Sequence, residues 1–232
     1  MKVMSFNTQH CLNFVEKKID FDIMAKAITE LSADVVGLNE MRDAGSDSEY
    51  TAQVEKLSEL TGMKYYYFAK AINVKGKGPY GNGILSKLPI LKADVIPIPD
   101  PEIRIEGKYY ESRCILRAEL EGGITVLVTH FGLNPDEQEN AAKTVCESLA
   151  NKKCILMGDF NVTPEDKVLA PIRSKMRDTA ELFDSDKKSF PSDAPEIKID
   201  YIFVTPDIKV VSADIPPVVA SDHRPHVAEI EI

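Results

Sequence analysis

The run Cys154-Ile155-Leu156-Met157-Gly158-Asp159-Phe160-Asn161 is an apolar stretch that ends on a carboxylate and, two positions later, an amide. A short apolar run closed in this way reads as a buried strand that delivers polar groups to a sheet edge, where α/β proteins usually place a hydrolytic site. The pattern recurs along the chain. Lys2-Val3-Met4-Ser5-Phe6 ends at Asn7, Val35-Val36-Gly37-Leu38 runs into Glu40, and Ile124-Thr125-Val126-Leu127-Val128 ends near His130. Asp200 and the pair Asp222-His223 lie beside later strands. Together these residues offer oxygen donors for a metal, two imidazoles, and two carboxylates able to orient a histidine.

The segments between these runs indicate how the strands are connected. Ile23, Met24, Ala27, Ile28 and Leu31 recur at helical spacing behind Asp22, which is the expected N-cap. Val54, Leu57 and Leu60 predict a second helix that stops at Gly62, a residue suited to the left-handed turn after a helix. Tyr65 to Ala69, Gly83 to Ser86 and Ile90 to Ile96 read as successive antiparallel strands, and the tyrosines at 65–67 as strand residues without a further role. Period-two alternation from Cys114 to Leu120 turns at Gly122-Gly123 into the strand before His130, which makes a hairpin. Asn134 and Pro135 suit the N-cap and first position of a helix carrying Ala141, Ala142, Val145 and Leu149, and Thr163-Pro164 is expected to start another. Tyr201 to Val204 and Val227 to Ile232 close the chain as strands. Asn7, Glu40, His130 and Asp159 end their strands, whereas Asp200 and His223 precede theirs. All six reach one edge if the late strands run antiparallel to the early ones.

Composition narrows the function classes. The 232 residues are 44% hydrophobic and 28% charged, as in a globular protein with a sizeable core, and no Gly/Ser/Pro-rich linker divides them, so one domain over 1–232 is expected. A net charge of -9 and a pI near 5.1 disfavour tight, sequence-independent binding to nucleic acid, which relies on Lys and Arg neutralising phosphates. Cys11, Cys114, Cys146 and Cys154 show no close pairing and read as free core thiols. The chain enters its first strand at once, with no signal-like or membrane-spanning run, so a cytoplasmic location is expected.

Seven segments resemble the endonuclease/exonuclease/phosphatase superfamily, the metal-dependent phosphoesterases related to deoxyribonuclease and neutral sphingomyelinase. They are Met4-Ser5-Phe6-Asn7, Leu38-Asn39-Glu40, Tyr80-Gly81-Asn82-Gly83-Ile84-Leu85-Ser86, Thr129-His130, Gly158-Asp159-Phe160-Asn161, Ile199-Asp200-Tyr201-Ile202 and Ser221-Asp222-His223-Arg224-Pro225. They occur in family order across essentially the whole chain. The resemblance implies a four-layer α/β sandwich of two packed mixed sheets flanked by helices. It also implies Mg²⁺ or Mn²⁺ held by Glu40 with Asn7 and Asp222, and an attacking water oriented or deprotonated by Asp159. Asn161 would hydrogen-bond a phosphoryl oxygen or help to position that water, His130 and His223 would meet the remaining oxygens, Asp200 would orient and charge His223, and Tyr80, Asn82 and Arg113 would line the phosphate end. Asn39 departs from the family's usual glutamine, and Gly83 from its alanine or valine.

The expected activity is hydrolysis of a phosphomonoester or phosphodiester, with a small-molecule or lipid-head-group-like substrate favoured. The acidic surface, short loops and absence of Trp disfavour a nuclease, and a full set of polar residues disfavours a silent binding module on the same fold. The irregular segments 97–110 and 184–195 are expected to set specificity. Lys75 and Lys77 read equally as an anion-attracting pair and as a solvated turn. His10 and His226 read as packing or surface residues, although Asn7 brings His10 near the site.

Overall fold

The structure is a computed structural model that describes residues 1–45 and 50–232. Its strands are β1 (Lys2–Asn7), β2 (Val35–Arg42), β3 (Tyr65–Val74), β4 (Gly78–Ser86), β5 (Ile90–Pro97), β6 (Cys114–Leu120), β7 (Ile124–His130), β8 (Cys154–Asp159), β9 (Arg177–Asp178), β10 (Asp200–Val204), β11 (Lys209–Asp214) and β12 (His226–Glu231). Among the described residues they form two six-stranded mixed sheets, in the orders β11-β12-β1-β2-β4-β3 and β5-β6-β7-β8-β10-β9. The helices are α1 (Phe21–Glu30), α2 (Gln53–Thr61), α3 (Pro135–Ser148) and the short α4 (Ala170–Arg173).

Side-chain alternation explains why the strands read as continuous apolar runs. Val3, Val35, Val126, Val128, Ile155 and Met157 point into the layer between the sheets. Their neighbours turn outward: Met4, Val36 and Leu38 pack on α1 and α2, and Leu127 and Leu156 pack against α3 and α4. A strand covered on both faces has no polar side, so its first polar residue marks where it leaves the core. The result is the expected four-layer sandwich. Among the described residues no helix is long and apolar enough to cross a membrane.

Several local expectations are met, and some are corrected. Gly62 ends α2 at φ +70, Asn134 and Glu137 form a capping box ahead of α3, and the Cys114–His130 hairpin forms as read. All four cysteines are free, three of them buried. The N-cap of α1 is Asp20, not Asp22, because the Asp20 carboxylate accepts the Ile23 amide N–H at 3.2 Å. Thr163-Pro164 does not begin a helix. It makes a turn closed from Asp166 N to Thr163 O at 3.0 Å, and Asp166 then caps a 3₁₀ turn that runs into α4. β3 and β4 pair antiparallel as expected, but β5 leaves them and pairs with β6 in the second sheet.

Strand direction gathers the polar residues. β1 and β2 are parallel with Asn7 beside Asn39, and β7 and β8 are parallel with His130 beside Asp159. β10 runs antiparallel to β8 and sets Asp200 beside Asp159. Residues that end early strands and residues that begin or precede late ones therefore share one edge of the sandwich.

Candidate active site

Asp159 ends β8 after Gly158, whose φ is +150 and whose position faces the neighbouring backbone. A Cβ there would sit 1.8 Å from Thr129 O. Only glycine lets β8 approach β7 this closely before the chain turns into the cleft. The Asp159 carboxylate is fully engaged. Its Oδ1 accepts the Asn161 amide N–H at 2.9 Å, and its Oδ2 accepts Asn7 Nδ2 at 3.0 Å and lies 3.5 Å from His130 Nε2 and 3.6 Å from His223 Nε2. Burial and the nearby Asp200 charge hold its pKa well above the usual carboxylate range, against the opposing effect of His223.

The two site histidines have opposite electrostatics. His223 Nδ1 lies 2.8 Å from Asp200 Oδ2, and the Asp200 and Asp159 charges raise its pKa above the ordinary value although burial alone lowers it. His223 is therefore a cation, with its Nε2–H aimed at the cleft. Burial, then the Arg113 and His223 charges, push His130 well below its ordinary pKa, so its ring is neutral. Arg113 Nη1 is 3.0 Å from His130 Nδ1, and a guanidinium can only donate. The His130 proton therefore resides on Nε2, also facing the cleft. Asn161 Nδ2, 3.1 Å from that nitrogen, donates instead to Phe131 O at 3.0 Å.

Glu40 reaches the cleft through a distortion of β2. Its pairing with β4 shifts register between Leu38 and Met41, and Glu40 itself adopts φ +62. Asn161 is likewise left-handed, at φ +52. Left-handed non-glycine residues cost about 1–3 kcal/mol each and persist where surrounding contacts impose them, often at functional sites. Glu40 Oε1 accepts Asn7 Nδ2 at 3.2 Å, and His10 Nδ1 is 3.9 Å from Oε2. Burial, and then the Asp222 charge, raise the Glu40 pKa despite the Asn7 bond.

One neutral amide thus serves two carboxylates, Glu40 and Asp159, with a third charge from Asp222 nearby. A divalent cation suits such a concentration of hard oxygen donors, so the residues fit the implied Mg²⁺ or Mn²⁺. Asn7 Oδ1 accepts the Gln9 amide N–H at 3.0 Å, so offering this oxygen to an ion requires the amide to turn. Among the described residues, the group of His and acidic atoms close enough to share an ion is Asp159, Asp200 and His223. Two of its atoms already form the 2.8 Å bond of the Asp200–His223 pair, which reads as an ion pair and not as a metal cage.

Tyr80 and Arg113 also converge here, with Arg113 Nη1 3.4 Å from the Tyr80 hydroxyl and 3.0 Å from Glu111 Oε2. Asn82 is placed differently from the other expected residues. At 2% exposure it presents almost no surface to a ligand, and its amide is engaged with Asn39 Nδ2 and Cys114 O. Asn39, which departs from the family's usual glutamine, joins the two sheets. Its Nδ2 donates to Asn82 Oδ1 and Thr129 O, both at 2.8 Å, and its Oδ1 accepts the Asp159 amide N–H at 3.0 Å. Its adjacency to Glu40 was the available signal, since alternation turns one of two neighbours inward. His226 is a core residue, with Nε2 3.0 Å from Thr179 Oγ1. The 184–195 segment reaches the site through Phe190, whose ring centroid lies 4.8 Å from that of His223.

A model of the Endonuclease/Exonuclease/phosphatase family matches residues 4–223. No curated protein matches the chain. Among solved structures, an endonuclease/exonuclease/phosphatase from Beutenbergia cavernae is similar with a TM-score of 0.80 at 22% identity, over 100% of this chain and 71% of that one. A mannosyl-6-phosphatase from Bacteroides thetaiotaomicron gives 0.77 at 17% identity over 100% of both chains. The human Nocturnin catalytic domain gives 0.72 at 19% identity, over 100% of this chain and 94% of that one. At these identities the solved structures bear on the fold alone. Members of the matched family are generally hydrolases acting on phosphoesters and commonly use divalent metals. With the family match spanning nearly its whole length, the chain belongs to the endonuclease/exonuclease/phosphatase family.

Proposed function

We propose that this protein is a divalent-metal-dependent phosphoesterase that hydrolyses a small phosphorylated molecule by direct attack of water. The observation that carries this reading is the set of partners around Asp159 Oδ2: a neutral His130, a cationic His223 and the Asn7 amide, all within 3.6 Å. A carboxylate whose pKa is raised by burial is a competent general base near neutral pH. Asp159 accepts a proton from the attacking water as the new P–O bond forms and the ester P–O bond breaks. His130 donates its Nε2–H to one phosphoryl oxygen. His223 presents its charged Nε2–H to another, and Asp200 fixes its orientation through Nδ1. Asn161, with its backbone tied to Asp159, helps to hold the phosphoryl group.

Glu40, with Asn7 and Asp222, would hold Mg²⁺ or Mn²⁺. When bound there, such an ion would supply Lewis-acid polarisation of the phosphoryl group. Tyr80 and Arg113 border the phosphate end, with Arg113 also setting the His130 tautomer.

The charge of -9 supports a small-molecule substrate over a nucleic acid. A fold neighbour of matching length is named for a sugar phosphate, so a fold of this size accommodates such a substrate without added elements. The test is a metal-supplemented screen of phosphomonoesters, phosphodiesters and oligonucleotides, with D159N as control. Hydrolysis of small phosphoesters should exceed that of oligonucleotides and fall a hundredfold or more, an estimate of roughly 3 kcal/mol, in D159N. No turnover anywhere in the panel, or undiminished D159N activity, overturns the reading.

A further inference from the structure

The inward face of α3 carries an amide where helical spacing calls for an apolar residue. Gln138 lies with Ala141, Ala142 and Val145 on the buried side of the helix and is 7% exposed. Burying an amide is costly unless it is hydrogen-bonded, so its partners show what holds it there. Gln138 Nε2 donates to Gly132 O at 3.1 Å and to Asn161 O at 3.3 Å. Both partners are carbonyl oxygens, which only accept, so the NH₂ end of the side chain must face them. Its two donors are thus spent outside the helix. α3 itself needs neither, because Asn134 and Glu137 cap it and the Gln138 backbone N–H already donates to Asn134 O at 3.0 Å.

The two carbonyls lie where the chain leaves the catalytic strands. Gly132 is two residues past His130 at the end of β7, and Asn161 is two residues past Asp159 at the end of β8. The Asn161 N–H is held by Asp159 Oδ1 at 2.9 Å, so with Gln138 on its carbonyl the peptide groups on both sides of the Asn161 Cα are fixed. Such restraint suits a residue at φ +52. The Gly132 bond steadies the turn on which the Asn161 side chain rests, since Asn161 Nδ2 donates to the adjacent Phe131 O at 3.0 Å. His130 is placed independently, by the pairing of β7 with β8 opposite Asp159. The site side chain that depends on Gln138 is therefore Asn161, whose Nδ2 is 3.1 Å from His130 Nε2.

Resting on the phosphoesterase reading above, we infer that Gln138 is a positioning residue for the hydrolysis, acting through Asn161. It fixes where the Asn161 amide meets the phosphoryl group and has no effect on the reaction once that amide is removed. A displacement of about 1 Å can cost on the order of a hundredfold in rate, so an anchor on a helix is worth its buried amide.

A double-mutant cycle on kcat/KM tests this with Q138M, N161A and the double variant. The probe is 4-nitrophenyl phosphate or, if the protein is a diesterase, bis(4-nitrophenyl) phosphate, with Mg²⁺ and enough enzyme to keep N161A measurable. Methionine has nearly the length and bulk of glutamine but no donor. Q138M should lose roughly five- to fiftyfold, the range for leaving buried acceptors unpaired. Added to N161A, the same substitution should change kcat/KM by less than about twofold, because residues acting as a unit are non-additive. A general loosening of the fold would instead cost the same in both backgrounds. Q138E keeps the shape but offers only acceptors when ionised, and it serves if circular dichroism shows Q138M to be unfolded. A folded variant within twofold of wild type, or equal losses in the two backgrounds, overturns the assignment. Hydrogen exchange followed by mass spectrometry needs no turnover: residues 131–134 and 160–163 should exchange faster in the variant, and unchanged exchange there also overturns it. If the wild type hydrolyses nothing, the phosphoesterase reading fails by itself, while the exchange data still decide whether Gln138 holds the two turns.

Discussion

His223 Nδ1 and Asp200 Oδ2 are 2.8 Å apart inside the protein, and the other Asp200 oxygen has no hydrogen-bond partner. A carboxylate committed to one imidazole in this way acts through that imidazole. Asp200→Asn, His223→Ala and the double variant should then show overlapping losses in kcat/KM. His223→Ala should cost on the order of 3 kcal/mol, about a hundredfold or more, because it removes a charged donor to the transition state. The double variant should be little worse. Fully additive losses would show that Asp200 acts separately, for instance on a metal ion.

Glu40 offers the accessible carboxylate of the proposed metal site, and burial already makes its charge costly in the absence of a cation. Glu40→Gln should weaken Mn²⁺ binding, measured by calorimetry or electron paramagnetic resonance, by at least about tenfold. Excess chelator should abolish wild-type hydrolysis. Wild-type Mn²⁺ affinity in Glu40→Gln would move the ion elsewhere, with the Asp159, Asp200 and His223 group the first alternative.

Gly158 combines φ +150 with a Cβ direction blocked by Thr129 O. Gly158→Ala should therefore destabilise the fold by roughly 3 kcal/mol or more, since both the backbone conformation and the β7–β8 spacing must change. Urea denaturation of the two proteins measures the difference. A loss below about 1 kcal/mol would contradict the close approach described.

His226 is buried, and burial, followed by the Lys198 charge, lowers its pKa well below the ordinary value. The unfolded chain takes up a proton near pH 6.5, but the folded chain cannot do so until much lower pH. The contribution of His226 is thus fully present above pH 6.5 and is lost as pH falls from there toward the folded-state pKa. His226→Gln should flatten the pH dependence of stability between pH 6.5 and 5 by up to about 1.4 kcal/mol per pH unit relative to wild type. Denaturant titrations at several pH values compare the slopes, which are independent of any overall loss from the substitution. Equal slopes would mean that His226 is solvated or already charged in the folded protein.

The placement of Asn7, His130 and Asp159 at strand ends could be read directly from the sequence, whereas Glu40 lies inside β2, which continues to Arg42, and reaches the cleft through the register shift between Leu38 and Met41. Each strand is covered on both faces, so it is apolar throughout, and the first polar residue after the run marks its exit from the core. The amphipathic spacing of α1, α2 and α3 was legible for the same reason, since each buries one face. Local sequence did not reveal that β5 crosses to the second sheet, because an edge strand carries the same alternation wherever it pairs. It also did not show that Asn82 is spent on joining the sheets, since its strand run resembles those whose polar residues face the cleft. The charge states of the two histidines were decided entirely by tertiary structure. His130 faces Arg113 and His223 faces Asp200. Those partners lie 17 and 23 residues away along the chain, and burial strengthens their effect by excluding the water that would screen it.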